Sequence, residues 1–360
     1  MNSSKLSFYT LTVASPRRAG RFAERAERSG WDGMAVVDSQ NLSGDVYVAL
    51  TVAASRTERL GLATAVTNPI TRHPAVTASA IASVHALSDG RTTLGIGRGD
   101  SSLAHLGRAP AGVAVFAKYL ETLQCYLRGD SVAFEELAFH ERLAPEVSTL
   151  GLADTASASR IAWLPDSRPK VEVEVAATGP KVIGLAARLA DRVMFALGAD
   201  PDRIAWGVQV ARDARKDAGL DPETLQFGAY VNLVCHPQVE TAREMVKGGL
   251  TTFARFQVMH GKIAGPVADK QRRVLNDLHD RYDMKHHTQS GSPQSKTLTP
   301  EFIDRYAIVG PAKHCVTSLR ELAALGVTRV IVIGPSAGSD REEAARAEHA
   351  LVEEVLPAFK

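Results

Sequence analysis

The chain has 360 residues, 45% of them hydrophobic and 23% charged, a balance that suits a folded enzyme with a sizeable core and excludes general disorder. Its 42 basic and 40 acidic residues are spread without runs of like charge, so neither nucleic acid nor a membrane surface is an expected partner. Three scattered cysteines and the lack of an 18-residue apolar stretch argue against a disulfide framework, a zinc site and a membrane span, and predict a cytoplasmic protein.

Short apolar runs rich in β-formers alternate with longer amphipathic stretches, which is the pattern of parallel βαβ units. We count eight such runs, the number of strands that closes a barrel. The predicted fold class is therefore α/β, with one (β/α)8 TIM-barrel domain over residues 1–360. The predicted strands are 6–13, 33–38, 60–66, 92–97, 171–177, 192–196, 225–234 and 329–333. The clearest predicted helices are 16–29, 45–55, 74–87, 111–127, 180–190, 201–218 and 340–355.

Two long excursions interrupt this rhythm, at 131–170 after the fourth predicted strand and at 263–305 after the seventh. Loops of this length inside a domain are usually functional or mobile. The second excursion carries His286, His287 and the polar tract 288–296, a composition that suits a flexible lid over a barrel mouth. A disordered surface segment without a catalytic role is an equal alternative. The two histidines lack a second ligand cluster, so we predict no metal site.

The loops that follow parallel barrel strands open onto one face, so residues just after each strand are the functional candidates. After the third strand, the small residues Ala63, Ala65 and Thr67 would let the backbone approach a flat aromatic ring, and Thr67 and Asn68 would hydrogen-bond to its polar edge. Taken alone, Asn68 followed by proline is an ordinary turn signal. The glycine-rich run 95–102 after the fourth strand lacks the spacing and position of a Rossmann dinucleotide site.

The fifth predicted strand runs into Thr178, Gly179 and Pro180 at the start of a helix. The free amides and the positive dipole at such a helix start bind a phosphate group well. A capped helix start with no ligand is the alternative.

Four motifs together resemble the bacterial luciferase-like superfamily: the runs 67–78, 87–91, 95–100 and 177–181. The similarity extends from Leu6 to Gly334 and is greatest to the methylenetetrahydromethanopterin reductase branch, whose cofactor is the deazaflavin coenzyme F-420. The resemblance implies a barrel with the cofactor ring against the third strand, its phosphate at the turn after the fifth strand, and usually a homodimer. It also implies a non-prolyl cis peptide between Ala65 and Val66, beneath the ring.

Site residues carried over from this resemblance fall into two groups. The predicted cofactor-binding residues are Ala65, Val66, Thr67, Asn68, Gly97, Thr178, Gly179 and Pro180, and the predicted catalytic residues are Asp38, Ser39 and Arg98. Relatives that use the deazaflavin often have Asp-His where this chain has Asp38-Ser39, and some sugar-phosphate members have a carboxylate acid where Arg98 stands. Arg98 could hold an anionic substrate or polarise a carbonyl, or could form a salt bridge to Asp100 or Asp38.

We therefore predict an oxidoreductase that transfers hydride between reduced coenzyme F-420 and a small organic substrate. An FMN-dependent monooxygenase, in which reduced flavin reacts with oxygen in the same barrel, is the first alternative. A cofactor-free barrel that serves as a binding or partner subunit is the second. No motif identifies the substrate.

Overall fold

Eight parallel strands close into a barrel in the computed structural model, which describes residues 6–137, 139, 144–164 and 169–360. Each strand pairs with the next from β1 to β7, and β9 closes the ring between β7 and β1. The predicted (β/α)8 barrel is confirmed. The barrel strands are β1 (Ser7–Val13), β2 (Gly33–Val37), β3 (Gly61–Thr64), β4 (Thr92–Ile96), β5 (Glu172–Ala177), β6 (Arg192–Phe195), β7 (Gln226–Cys235) and β9 (Val327–Ile333).

The helices surround the barrel, and the seven predicted ones are present, with starts at or within two residues of those predicted. Proline occupies a first-turn position in several of them, where its missing amide costs no hydrogen bond. Asp45, Asp200 and Asp340 cap α2, α7 and α12 through their carboxylates. The helices are α1 (Pro16–Arg28), α2 (Val46–Ala54), α3 (Pro74–Leu87), α4 (Ser101–Ala104), α5 (Val113–Arg128), α6 (Pro180–Leu189), α7 (Pro201–Asp217), α8 (Val239–Phe256), α9 (Asp269–Arg281), α10 (Pro300–Tyr306), α11 (Ala312–Ala324) and α12 (Arg341–Ala350).

Alternate strand residues face the helices and the barrel interior, as the period of two requires. Leu62, Leu94 and Val173 are fully buried in the large core between strands and helices. A smaller apolar cluster fills the interior, and its members from β3, β6 and β9 include Ala63, Met194 and Ile331. The many alanines of this inner cluster leave space near the carboxyl ends of the strands.

A buried ionic cluster lies deeper in the barrel, among the interior residues of β5, β6 and β9. Glu174 is fully buried, and its Oε2 atom accepts a 2.7 Å hydrogen bond from Arg329. The Nε atom of Arg192 is 3.5 Å from the same oxygen. The guanidinium of Arg329 also lies over the Tyr9 ring, 4.7 Å from its centroid. The buried carboxylate of Glu174 thus contacts two arginines, which Glu172 also attracts.

The second excursion, 263–305, is folded. It contains α9 and α10, and Leu275, Leu278 and Phe302 are buried in a cluster that also includes residues of α8. The alternative of a disordered segment is therefore wrong. The short strand β8 (Ile308–Gly310), which we did not predict, pairs with the end of β7, so the eighth predicted strand is the ninth along the chain. The helices α8 and α11 were also left unassigned.

The first excursion, 131–170, lies partly outside the described residues. Its described part contains two short 3-10 turns, Phe134–Glu136 and Val147–Leu150, and an isolated bridge between Val132 and Ser159. In the part of the chain that the structure describes, no helix has both the length and the apolar character needed to cross a membrane.

Candidate active site

A cavity of about 590 Å³ opens at the carboxyl ends of the barrel strands. This size is within the range of about 300–1,000 Å³ that small-molecule and cofactor sites occupy. Its floor is made of small or flat apolar groups from β5, β6, β9 and the turn after β3: Ala65, Val66, Ala176, Ala196 and Ile333. Residues of the loops after β2 and β4, of α8 and of the second excursion form the walls. The predicted position of the site at this end of the barrel fits the cavity.

The floor depends on a close approach between β3 and β4. The peptide between Ala65 and Val66 is cis, which confirms that expectation, and β3 ends just before it at Thr64. A Cβ atom on Gly95 would lie 2.1 Å from the carbonyl oxygen of Thr64, so only glycine fits there. A Cβ on Gly97 would lie 3.0 Å from Val66. Gly97 therefore supports the floor from behind and does not line the cavity.

Thr67 and Asn68 are buried beneath the floor and do not line the cavity. The Oδ1 atom of Asn68 accepts hydrogen bonds from the amides of Ile70 at 3.0 Å and Thr71 at 3.1 Å. Its side-chain amide donates to the Ser102 hydroxyl at 3.3 Å. These contacts are those of a turn residue, so any role of the pair in cofactor binding is indirect and stays a prediction.

Asp38 lies in the cavity wall as half of a buried ion pair. Its carboxylate accepts two hydrogen bonds from Arg72, at 2.5 and 3.3 Å. Arg72 also donates to Asp45 at 2.8 Å and lies over the Tyr47 ring. The bidentate geometry fixes Asp38 and leaves it little freedom to act as an acid or base. Its neighbour Ser39 lines the cavity and is half-buried.

Arg98 does not line the cavity. Its Nε donates to the carbonyl oxygen of Ala111 at 2.6 Å, and burial lowers the pKa of the guanidinium below its ordinary value. The suggested salt bridges to Asp38 or Asp100 are wrong, because those carboxylates pair with Arg72 and Arg255 respectively. Arg98 instead ties the loop after β4 to the segment before α5.

The helix start after β5 lies beside the cavity. Ala176 lines the floor, and Thr178, Gly179 and Pro180 follow at the beginning of α6. No side chain within the described ranges caps this helix. A Cβ atom on Gly179 would meet nothing within 4 Å, so space is open in front of the first amides. The arrangement could hold an anionic group at the rim of the cavity.

A series of hydrogen-bonded polar side chains at the cavity mouth could not be identified from the sequence, because the fold assembles it from distant segments. His287 contacts the Tyr282 hydroxyl through Nδ1 at 2.7 Å and the Ser101 hydroxyl through Nε2 at 2.9 Å. Burial, with added repulsion from Arg255 and His105, lowers the pKa of His287 to about 4. Its imidazole is therefore neutral at pH 7, when one nitrogen donates and the other accepts.

The paired histidines of the second excursion have different surroundings. His286 is exposed and contacts Asp283 at 2.7 Å, whereas His287 turns toward the cavity. Within the described residues there is no cluster of three or more ligands suited to a metal ion. The pair was a visible signal in the sequence, but the sequence could not indicate which of the two enters the site.

An ion pair joins α8 to the loop after β4 at the cavity mouth. Arg255 pairs with Asp100, and its guanidinium lies over the Tyr282 ring, 4.6 Å from the centroid. Burial raises the pKa of Asp100, although Arg255 opposes the rise. The loop after β4, helix α8 and the second excursion are thereby joined at one edge of the cavity.

A family model described as luciferase-like monooxygenase matches residues 3–329. The chain belongs to this family. The resemblance predicted from the four motifs is confirmed, and so is the class of the protein as an oxidoreductase.

Individual relatives and solved structures give the scale of the likeness. A 5,10-methylenetetrahydromethanopterin reductase of Methanolobus tindarius is 26% identical over 341 residues, which cover 91% of this chain and 93% of the relative. The structure of the coenzyme F-420-dependent tetrahydromethanopterin reductase of Methanopyrus kandleri matches with a TM-score of 0.74 at 20% identity, covering 99% of this chain and 100% of that one. The FMN complex of the oxygenating constituent of a Pseudomonas putida 3,6-diketocamphane monooxygenase has a TM-score of 0.64 at 15% identity, covering 98% of each chain. At these identities the two solved structures show the fold alone.

Proposed function

We propose that this luciferase-like protein transfers hydride between reduced coenzyme F-420 and a small organic substrate. The observation that carries the proposal is a small-residue apolar floor whose Ala176 lies three residues before an uncapped helix start at Gly179. Its similarity along nearly the whole chain to a methylenetetrahydromethanopterin reductase supports the choice of cofactor. When bound, the deazaflavin would supply a hydride from a carbon of its ring.

The residues present fit such a group. Ala65, Ala176 and Ala196 leave a shallow floor on which a flat ring can lie without meeting a long side chain. Tyr230 also lines the cavity, and its buried hydroxyl has no hydrogen-bond partner among the residues described. Thr178 and Gly179 would hold the phosphate. The barrel and the second excursion would exclude water from the reacting atoms.

In this proposal, one predicted catalytic residue contacts a ligand and the other two position loops. Ser39 lines the cavity and is placed to contact the ring or the substrate. Asp38, held by Arg72, would position the loop that carries Ser39. Arg98, which contacts the Ala111 carbonyl, would shape the loop after β4 and would not bind the substrate directly.

An FMN-dependent monooxygenase is the second candidate, favoured by Ser39 in the place where deazaflavin-using relatives often have histidine. Both ring systems carry a phosphate on a ribityl chain and need the same floor and helix start.

The experiment that separates the two candidate functions is titration of the purified protein with each cofactor. Anaerobic oxidation of the reduced deazaflavin supports hydride transfer, and oxygen-dependent turnover of reduced FMN supports the monooxygenase. A protein that binds neither would be the cofactor-free barrel.

We expect coenzyme F-420 to bind at least about tenfold more tightly than FMN, a difference of about 1.4 kcal/mol. The measurement is the dissociation constant of each cofactor from quenching of its own fluorescence, at one pH and ionic strength. Micromolar or tighter FMN binding without measurable deazaflavin binding would contradict the proposal and select the monooxygenase.

Replacing Gly179 by Leu should weaken cofactor binding at least about tenfold, because the new side chain would occupy the open space in front of the α6 amides. The melting temperature should change little, since nothing lies within 4 Å of the added Cβ. Gly112→Leu is the matched control: Gly112 is also an N-cap glycine with open space around its Cβ, at the start of α5. Equal affinity of Gly179→Leu and the unmodified protein would remove this phosphate site.

We also propose that the protein forms a homodimer, as its family resemblance implies. Exposed apolar side chains support this on three neighbouring helices: Val48 on α2, Val76 on α3 and Val115 on α5. Ile70, just before α3, extends the same apolar character. Apolar residues grouped in this way on a surface mark contacts with other proteins.

A further inference from the structure

Ser101 lines the cavity at its mouth, and its hydroxyl is the first of a series of hydrogen-bonded side chains, called the chain below. Behind it lie the Nε2 atom of His287 at 2.9 Å, then the Tyr282 hydroxyl at 2.7 Å from Nδ1, then the Thr252 hydroxyl at 3.2 Å from Tyr282. The Tyr282 side chain is partly exposed, so solvent can reach this residue, whereas Thr252 beyond it is buried and lines the same cavity. The near end opens into the same cavity as the apolar floor.

The acidities of the groups decide which of them donates each hydrogen bond in this chain. A phenol is a stronger acid than an alcohol, so Tyr282 is the better donor to the Nδ1 atom of His287. With Nδ1 accepting, the neutral imidazole carries its proton on Nε2 and donates it to the Ser101 oxygen. The Ser101 hydroxyl can then donate either into the cavity or to Asp100, whose Oδ2 atom lies at 3.4 Å. A distance of 3.4 Å is long for such a bond, which leaves the cavity as the better target.

We propose that Ser101 donates the proton that completes hydride transfer, and that His287 and Tyr282 resupply it from solvent. This inference rests on the function proposed above. As hydride adds to the carbon of a C=O or C=N group, the π electron pair moves onto the heteroatom, which takes the proton of the Ser101 hydroxyl. Ser101 then takes the Nε2 proton of His287, whose Nδ1 receives the proton of Tyr282, and Tyr282 is reprotonated by water. One hydride and one proton are consumed for each bond reduced.

The charged groups around His287 favour a neutral imidazole ring over a protonated imidazolium ring, as the relay requires. Arg255 from α8 and His105 from the loop after α4 both disfavour a positive charge on the ring. Asp100, the nearby anion, is already paired with Arg255. Tyr282 and Ser101, the direct contacts, are uncharged. The substrate class that fits is a small carbonyl compound or imine, since the floor of the cavity is apolar.

The first test uses kinetics with reduced coenzyme F-420 and two probe acceptors, cyclohexanone and 2-cyclohexenone, under anaerobic conditions. We expect Ser101→Ala to lower kcat about 100-fold and His287→Gln about tenfold or more, the range of general acid catalysis, with little change in cofactor Kd. Ser101→Thr keeps the hydroxyl and should recover most of the rate. His286→Gln is the matched control, because it changes the adjacent exposed histidine.

A second test needs no turnover. In protein labelled with 15N-histidine, the imidazole signal that disappears in His287→Gln should report a neutral ring protonated on Nε2 from pH 8 down to about pH 5. An imidazolium at pH 7, or a ring protonated on Nδ1, would overturn the relay. So would unchanged kcat in His287→Gln while the unmodified protein oxidises the reduced deazaflavin. If the unmodified protein neither binds nor oxidises it, the proposed function itself falls and the relay falls with it.

Discussion

Replacing Glu174 by Gln is expected to lower the free energy of unfolding by about 3–5 kcal/mol, because breaking a buried ion pair leaves uncompensated charge. The carboxylate is fully buried, and both Arg192 and Arg329 rely on it inside the barrel. Glutamine keeps the shape of the side chain but removes its charge, so the two guanidinium groups would lose the carboxylate that contacts them directly and keep only the weaker attraction of Glu172. The measurement is urea unfolding at pH 7, followed by circular dichroism.

The matched control for this change is Glu136→Gln. Glu136 also pairs with a cation, Lys118, at 2.7 Å, but its side chain is 55% exposed. An exposed pair contributes about 0–1 kcal/mol, so this variant should unfold at nearly the same urea concentration as the unmodified protein. Equal effects of the two substitutions would show that the barrel cluster is not acting as a buried ion pair.

The second large effect is expected from Arg72→Met, at about 3–5 kcal/mol of unfolding free energy, because Asp38 would keep a buried charge without its partner. The side chain of Asp38 is 1% exposed, and Arg72 supplies both of its strong hydrogen bonds. Asp45, the cap of α2, would also lose a contact. Since Asp38 and Ser39 line the cavity, we expect cofactor affinity to fall in the same variant.

A double-mutant cycle separates charge from packing in this wall. Adding Asp38→Asn to Arg72→Met removes the unpaired anion and should restore part of the lost stability. Arg56→Met is the control, because Arg56 also pairs with a carboxylate but its side chain is 65% exposed. Strictly additive losses in the double variant would mean that Asp38 and Arg72 do not stabilise each other.

The barrel could be predicted from the sequence because its signals are local. A strand such as β4 is a short apolar run, and a helix such as α6 begins with Gly-Pro and continues with an apolar face. Burial on one or both faces imposes these periodicities wherever the segment lies in the fold. Strand ends therefore indicated Ala65 in the floor and the helix start at Thr178 and Gly179, and the family resemblance added Val66.

The same local signals failed for short or unusual elements. The strand β8 has three residues, too few to show a period, and it forms only because the end of β7 lies beside it. The second excursion was interpreted from its polar composition, yet its buried residues are supplied by α9 and α10, which pack against α8.

Side-chain partners were decided by the tertiary structure alone. Ser101 and His287 are 186 residues apart, and nothing near either in the sequence indicates that their polar atoms meet. Arg98 has two acidic residues within reach along the predicted rim, but the fold pairs each of them with another arginine and directs Arg98 to a carbonyl. The sequence by itself determined the barrel and the end of it at which the strands open. Which polar groups face a ligand at that end depended on long-range packing, because a hydrogen bond requires two atoms to come within about 3 Å, and only the closed barrel sets that distance.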